Sequence, residues 1–259
     1  LTSCAGKNNY ESVRERVSLS GEWETTLGAC NLPGTTDENR LGSGEHPKNV
    51  THQHTRTHPF YGKVIYEKDI TIPDNWKGKR MVLFMERTKP STLWIDGDSI
   101  GSLGHIYAPH TYLLPELAGG RHHIKIRIDN SKDAVPKEIQ GSHAWTDGTQ
   151  TNWNGILGDF HIEATPHTYI KDVQAYPSVK ERKTAVILHI NSSSEQNGTI
   201  KIESSSCNSA RTHTIPAIKE KVELNEGENR IEMMLDMGED MLTWSEFHPA
   251  LYRLNASLS

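Results

Sequence analysis

The chain has 259 residues, a net charge of -5 and an isoelectric point near 6.3, so it offers no basic field for nucleic acid. A hydrophobic fraction of 34% and a mean hydropathy of -0.63 suit thin two-layer β domains, in which half of each strand faces water. No apolar run approaches the ~18 residues of a membrane-spanning helix, and the length allows two ordinary domains, because single cores stop growing near ~250–300 residues.

At the N-terminus, Leu1-Thr-Ser-Cys4 resembles the end of a bacterial lipoprotein signal, whose cysteine is acylated after cleavage, and a polar tether follows. On that reading Cys4 is a lipidation site, and the protein is exported, periplasmic or outer-surface, and lipid-anchored. The alternative is an arbitrary N-terminus with a chance cysteine. Cys30 and Cys207 fall in different predicted domains, so no disulfide between them is expected, and the cysteine spacing fits no zinc pattern. The sequons at Asn49, Asn191, Asn197 and Asn255 matter only in a eukaryotic secretory route.

Strand signals then dominate. Residues 61–72 are β-branched, aromatic and roughly alternating, and they end at Pro73. Residues 80–86 read as a buried strand and residues 91–95 as another. The latter turns through Asp96-Gly97 into a return strand at 99–103, because Gly accepts positive φ in a tight hairpin. Residues 122–128 and 156–163 also alternate. Between these strands lie two long loops, 31–58 and 131–154; loops of such length in a compact domain are usually functional or mobile.

Thr165-Pro166 breaks the pattern, and a second series of short strands follows at 183–191, 199–203, 221–224 and 230–235. Turns at Gln196-Asn-Gly198 and Asn225-Glu-Gly227 separate them, a spacing typical of an immunoglobulin-like β-sandwich. The predicted organisation is a tether over 1–17, an all-β sandwich over 18–166, and an immunoglobulin-like sandwich over 167–259. Near the C-terminus, Trp244-Ser-Glu-Phe-His-Pro-Ala-Leu-Tyr-Arg-Leu254 leads into a last strand. Pro249 has no N–H and a fixed φ, so it suits the start of that strand better than its interior.

Residues 141–156 concentrate two tryptophans with Asp, His, Asn and Gln. Indole rings stack on the C–H faces of sugars, and amides or carboxylates pair with hydroxyls. The structural reading of the same loop is that at least one tryptophan plugs the sandwich edge. Thr149-Gln-Thr-Asn-Trp-Asn-Gly-Ile156 with Gly158-Asp159 resembles a segment of the sugar-binding domain of glycoside hydrolase family 2. So do Leu32-Pro-Gly-Thr-Thr-Asp-Glu-Asn39, Glu86-Arg-Thr-Lys-Pro-Ser91 and Trp94-Ile-Asp-Gly97, in the family's order. The Trp244–Leu254 stretch is similar to the family's immunoglobulin-like segment, which precedes the catalytic barrel.

This resemblance implies a jelly-roll, galactose-binding-like sandwich followed by the immunoglobulin-like one. In family β-galactosidases, two loops of the jelly roll reach the sugar in the neighbouring barrel. Carried over, the carbohydrate-binding candidates are Thr88 and Lys89 on the first loop and Asp147 and Asn152 on the second, with Trp145 or Trp153 as an aromatic wall. The second loop departs in length from the family's well-known members.

Retaining glycosidases need two carboxyl groups about 5–5.5 Å apart, and in this family both are glutamates on barrel strands. The sole Asn-Glu pair, Asn225-Glu226, sits in an expected hairpin turn where nothing would raise its pKa, so no catalytic residue is assigned. His46, His52, His54 and His58 share one loop, but no carboxylate supports them, and no metal site is assigned. His122 and His123 must point to opposite faces of a strand. No cofactor motif is present.

The function expected is that of the non-catalytic N-terminal portion of an exported retaining β-glycosidase, β-galactosidase-like. Its partners would be carbohydrate and an intramolecular (β/α)8 barrel, with no nucleic acid. The alternatives are a stand-alone carbohydrate-binding surface lipoprotein and a structural adhesion module.

Overall fold

A computed structural model describes residues 14–43, 57–142, 145 and 152–259. Among these the regular structure is β-strand with three short 3₁₀ turns, an all-β chain that divides into two compact units, Arg14–Thr165 and Pro166–Ser259.

The first unit contains β1 (Glu15–Ser18), β2 (Gly21–Thr25), β3 (Cys30–Leu32), β4 (Gly34–Thr35), β5 (Lys63–Ile72), β6 (Arg80–Thr88), β7 (Ser91–Ile95), β8 (Asp98–Leu103), β9 (His110–Leu113), β10 (Gly120–Asp129) and β11 (Gly155–Thr165). One sheet runs β1-β11-β6-β9 with β4 also on β11, and the other runs β3-β2-β5-β10-β7-β8. Alternation builds the sandwich. Ile124, Ile126 and Ile128 of β10 point inward while Lys125 and Arg127 point out. Inside, Leu83, Met85 and Ile162 of the first sheet join Tyr66, Leu93 and Ile126 of the second in one buried cluster.

The registers gather several chain reversals at one end of this sandwich. Lys63 pairs with Asp129, Ile128 with Ser91, Ser91 with Leu103, and Ile156 with Thr88. The start of β5, the end of β10, the β6–β7 turn, the exit of β8 and the start of β11 therefore share that end. Asp96 and Gly97 both have positive φ, 52° and 93°, as a two-residue hairpin turn between β7 and β8 requires.

The second unit contains β12 (Tyr169–Ser178), β13 (Lys183–Ser192), β14 (Gln196–Cys207), β15 (Thr214–Leu224), β16 (Gly227–Asp236) and β17 (Leu251–Leu258), in sheets β12-β13-β16 and β15-β14-β17. Val186, Leu188 and Ile190 of β13 meet Ile200 and Ile202 of β14 in its core. Pro249 stands just before β17 and bridges back to Trp244. Tyr252 ties the same segment down: its hydroxyl accepts the Leu242 N–H at 2.9 Å and lies 2.5 Å from His213 Nδ1.

Several elements differ from the sequence reading. Gln196-Asn-Gly198, read as a turn, begins β14, because its backbone pairs with Leu224, Glu223 and Val222 across the hairpin. β1 to β4, β9 and β12 were not expected. β3, β4 and β9 are too short to show a period, and the exposed β12 carries Pro177 and few inward side chains. β1 occupies residues assigned to the tether. There Glu163, next to the strand, accepts from Arg14 at 2.6 Å and Arg16 at 2.9 Å. Burial alone would raise the Glu163 pKa, but the two guanidinium groups hold it below the ordinary value.

Candidate functional site

Two predicted loops, the Glu86–Ser91 turn and the segment leading into β11, meet at the end of the first sandwich. The Thr88 hydroxyl is buried and donates to the Gly155 carbonyl at 2.9 Å. Lys89, 6% exposed, places its ammonium 4.7 Å from the Trp145 ring centre and 5.0 Å from that of Trp153. A cation held over two indole faces fixes both rings by electrostatic attraction. Trp145 is buried and Trp153 half-buried. Asn152 is also buried, and its amide donates to the Asn130 carbonyl at 2.9 Å. Asp147, like Cys4, His46, His52 and His54, lies outside the described residues.

A buried amide network that sequence reading did not identify supports this arrangement. Asn154 Nδ2 donates to Gly62 O, Ile128 O and Asn130 Oδ1, at 3.1, 3.1 and 3.2 Å. Its Oδ1 accepts from the Tyr66 hydroxyl at 2.9 Å, and burial pushes the pKa of that phenol well above the ordinary value. Asn130 in turn accepts the Gly62 N–H at 3.0 Å and donates to Phe60 O at 2.8 Å. The network joins the starts of β5 and β11 to the end of β10, just beyond the last pair of the β5–β10 ladder, Lys63 with Asp129. Its sequence signal was two asparagines beside strand ends, too common to single out.

Close backbone passage adds a second tie. A Cβ on Gly155, at φ +144°, would stand 2.2 Å from Gly34 O, so β4 and β11 approach each other where a side chain has no room. The matched segment around Gly34 holds itself together. Glu38 accepts the Thr35 N–H at 2.8 Å, the Thr35 hydroxyl accepts the Glu38 N–H at 3.1 Å, and Asn39 bonds both backbone groups of Asn31. In the Glu86–Ser91 match, Glu86 accepts the Asp159 N–H at 2.8 Å across the irregularity in β11.

Next to the Lys89 turn, Ser91 belongs to a third buried network. His110 Nε2 lies 2.8 Å from His105 O, and since a carbonyl only accepts, Nε2 carries the proton. Nδ1 is then free to accept from the Ser91 hydroxyl at 2.6 Å. The Tyr112 hydroxyl lies 2.7 Å from Ser91 Oγ and donates to Ser91 O at 2.9 Å. Burial lowers the His110 pKa to about 4. A serine beside a histidine invites a nucleophilic reading, but all three side chains are in the core and no substrate can reach them.

Elsewhere the titratable groups hold structure. His122 Nδ1 lies 2.6 Å from Asp96 Oδ2 and His123 Nδ1 lies 2.9 Å from Asp69, so the adjacent histidines serve different carboxylates. The His58 N–H donates to Asp37. Glu226 is exposed at the β15–β16 turn. Burial raises the Cys30 thiol to about 11, which keeps it protonated. Among the described residues no cluster of three or more His, Cys, Asp or Glu side chains could hold a metal.

Solved structures share this fold. A β-glucuronidase of Bacteroides uniformis is 18% identical, with a TM-score of 0.68 over 95% of this chain and 30% of its own. A β-glucuronidase from glycoside hydrolase family 2 has a TM-score of 0.76 at 15% identity, over 96% of this chain and 29% of its own. The β-D-mannosidase of Dictyoglomus thermophilum scores 0.72 at 16% identity, over 95% and 34%. The chain thus spans about a third of the length of these structures, and its fold is that of the paired β-sandwiches they carry. No curated protein matches the sequence. Residues 168–259 match the family described as Glycosyl hydrolases family 2.

Proposed function

We propose that the chain is the non-catalytic sandwich portion of an exported, retaining β-glycosidase, and that the Lys89 end of its first sandwich forms one wall of the substrate pocket of a (β/α)8 barrel in the same protein. The observation that carries this reading is the convergence of the two loops, with Lys89 poised between two indoles. The family match and the share of each relative's length covered support it further.

The burial of the candidates divides their roles. Thr88, Lys89, Trp145 and Asn152 are enclosed, so they position the wall. Trp153, half-exposed, presents a ring face to sugar, with Asp147 as a hydroxyl partner. Acylation at Cys4 would hold the protein at the membrane surface. A β-galactoside is the sugar that the sequence resemblance favours; the relatives named above act on β-glucuronides and β-mannosides.

The test is turnover of the p-nitrophenyl β-glycosides of galactose, glucuronic acid and mannose by the full-length protein carrying this chain. One of the three is cleaved, the isolated chain cleaves none, and Trp153→Ala lowers kcat/KM about tenfold or more while the sandwich stays folded. Asp147→Ala lowers kcat in the same direction. Cleavage by the isolated chain, or unchanged kinetics in both variants, overturns the reading.

A further inference from the structure

Surface aromatics in the first sandwich are unevenly distributed. Trp23, Tyr66, Trp76, Tyr112 and Phe160 are buried, whereas Tyr107 is 85% exposed and Tyr61 54% exposed. Both exposed rings belong to the end that carries Lys89 and Trp153. Tyr61 stands two residues before β5, on the segment that Asn130 and Asn154 hold through Phe60 O and Gly62. Tyr107 stands in the loop between β8 and β9.

That second loop is short and anchored at both ends. The His105 carbonyl accepts from His110, the His105 imidazole lies 3.2 Å from Pro109 O, and the two rings pack edge to face with centres 4.3 Å apart. His110 in turn holds Ser91, two residues from Lys89. A continuous set of contacts, buried at Ser91 and His110, therefore ties the Tyr107 loop to the Lys89 turn. Presenting a bare aromatic ring on a preorganised loop makes poor sense for folding, which would bury it, and good sense for binding.

Spacing sets the kind of ligand. In the sheet, β5, β10, β7 and β8 are consecutive neighbours. At about 4.8 Å per strand, the tyrosine-bearing segments leave strands roughly 14 Å apart. The Lys89 turn runs into β7, one of the strands between them, while the Trp153 segment leads into β11 of the facing sheet. That span is wider than one sugar ring.

We propose that Tyr61 and Tyr107 are outer stacking positions for a β-linked oligosaccharide that crosses this end of the sandwich past Trp153. The inference rests on the pocket-wall reading above and extends it from a single sugar to a chain. Each tyrosine offers a ring face to sugar C–H groups and a hydroxyl at its wet edge.

Chain-length dependence tests it in the full-length protein. Once a p-nitrophenyl glycoside has identified the accepted sugar, kcat/KM is measured for its di- to tetrasaccharides. The ratio of tetrasaccharide to p-nitrophenyl glycoside is expected to fall about tenfold in Tyr107→Ala, and further in the double variant with Tyr61→Ala. Tyr107→Trp retains the ratio. Leu113→Ala, at an exposed apolar side chain on β9, leaves it unchanged. An unchanged ratio in the double variant, or no gain with chain length in the unaltered protein, overturns the stacking positions alone. No turnover of any glycoside overturns the pocket-wall reading as well.

Discussion

Asn154 meets three acceptors and one donor without solvent exposure, so replacing it strands several buried groups at once. Asn154→Ala is expected to lower the stability of the first sandwich by about 2–4 kcal/mol, measured as a shift in its urea unfolding transition. A shift below about 0.5 kcal/mol, the range of a surface substitution, would contradict the network's role. His110 makes a pH-dependent contribution. Its folded pKa of about 4 lies below the ordinary 6.5; above pH 6.5 it is neutral in both states and adds no pH dependence. As pH falls from 6.5 toward 4 the unfolded chain takes a proton that the folded one refuses. Stability is therefore lost across that window, by at most about 3 kcal/mol. The groups facing the ring are Ser91, His105 and Tyr112. His110→Gln should remove that part of the slope in unfolding measured between pH 4 and 7. At this scale the sequence singled out Lys89 and the tryptophans as candidates through the segments that carry the family resemblance. It could not show which were enclosed, since burial depends on partners such as Asn130, Asn154 and Ser91 that carry no distinctive pattern.

Between elements, the close approach of β4 and β11 depends on the absence of a side chain at Gly155. Gly155→Ala combines a positive φ with a Cβ 2.2 Å from Gly34 O, so a loss of roughly 2–4 kcal/mol is expected. Because the same approach seats the Trp153 segment, the variant should also raise KM in the full-length protein. Retention of both stability and KM would show that the approach can relax. Long alternating strands such as β5, β10 and β13 were legible because one face of each is buried, and the Asp96-Gly97 turn because its two positive φ values demand those residues. β3, β4 and β9 were hidden by their brevity. The Gln196-Asn-Gly198 segment misled because ladder pairing with β15 outweighs local turn preference.

For the molecule as a whole, the described residues form two all-β units in this order, with a family match over the second. What the sequence conveyed at this scale was order: five segments in the family's sequence, ending at the strand that Pro249 opens. The two exposed tyrosines stayed invisible, since nothing in a single sequence distinguishes an exposed ring from a core one. The most direct measurement is the kinetics of the full-length protein with and without Trp153→Ala on the accepted p-nitrophenyl β-glycoside. If the Lys89 end of the first sandwich walls the pocket, kcat/KM falls about tenfold or more while the unfolding transition stays within about 1 kcal/mol. Equal kcat/KM in the two proteins would contradict that role.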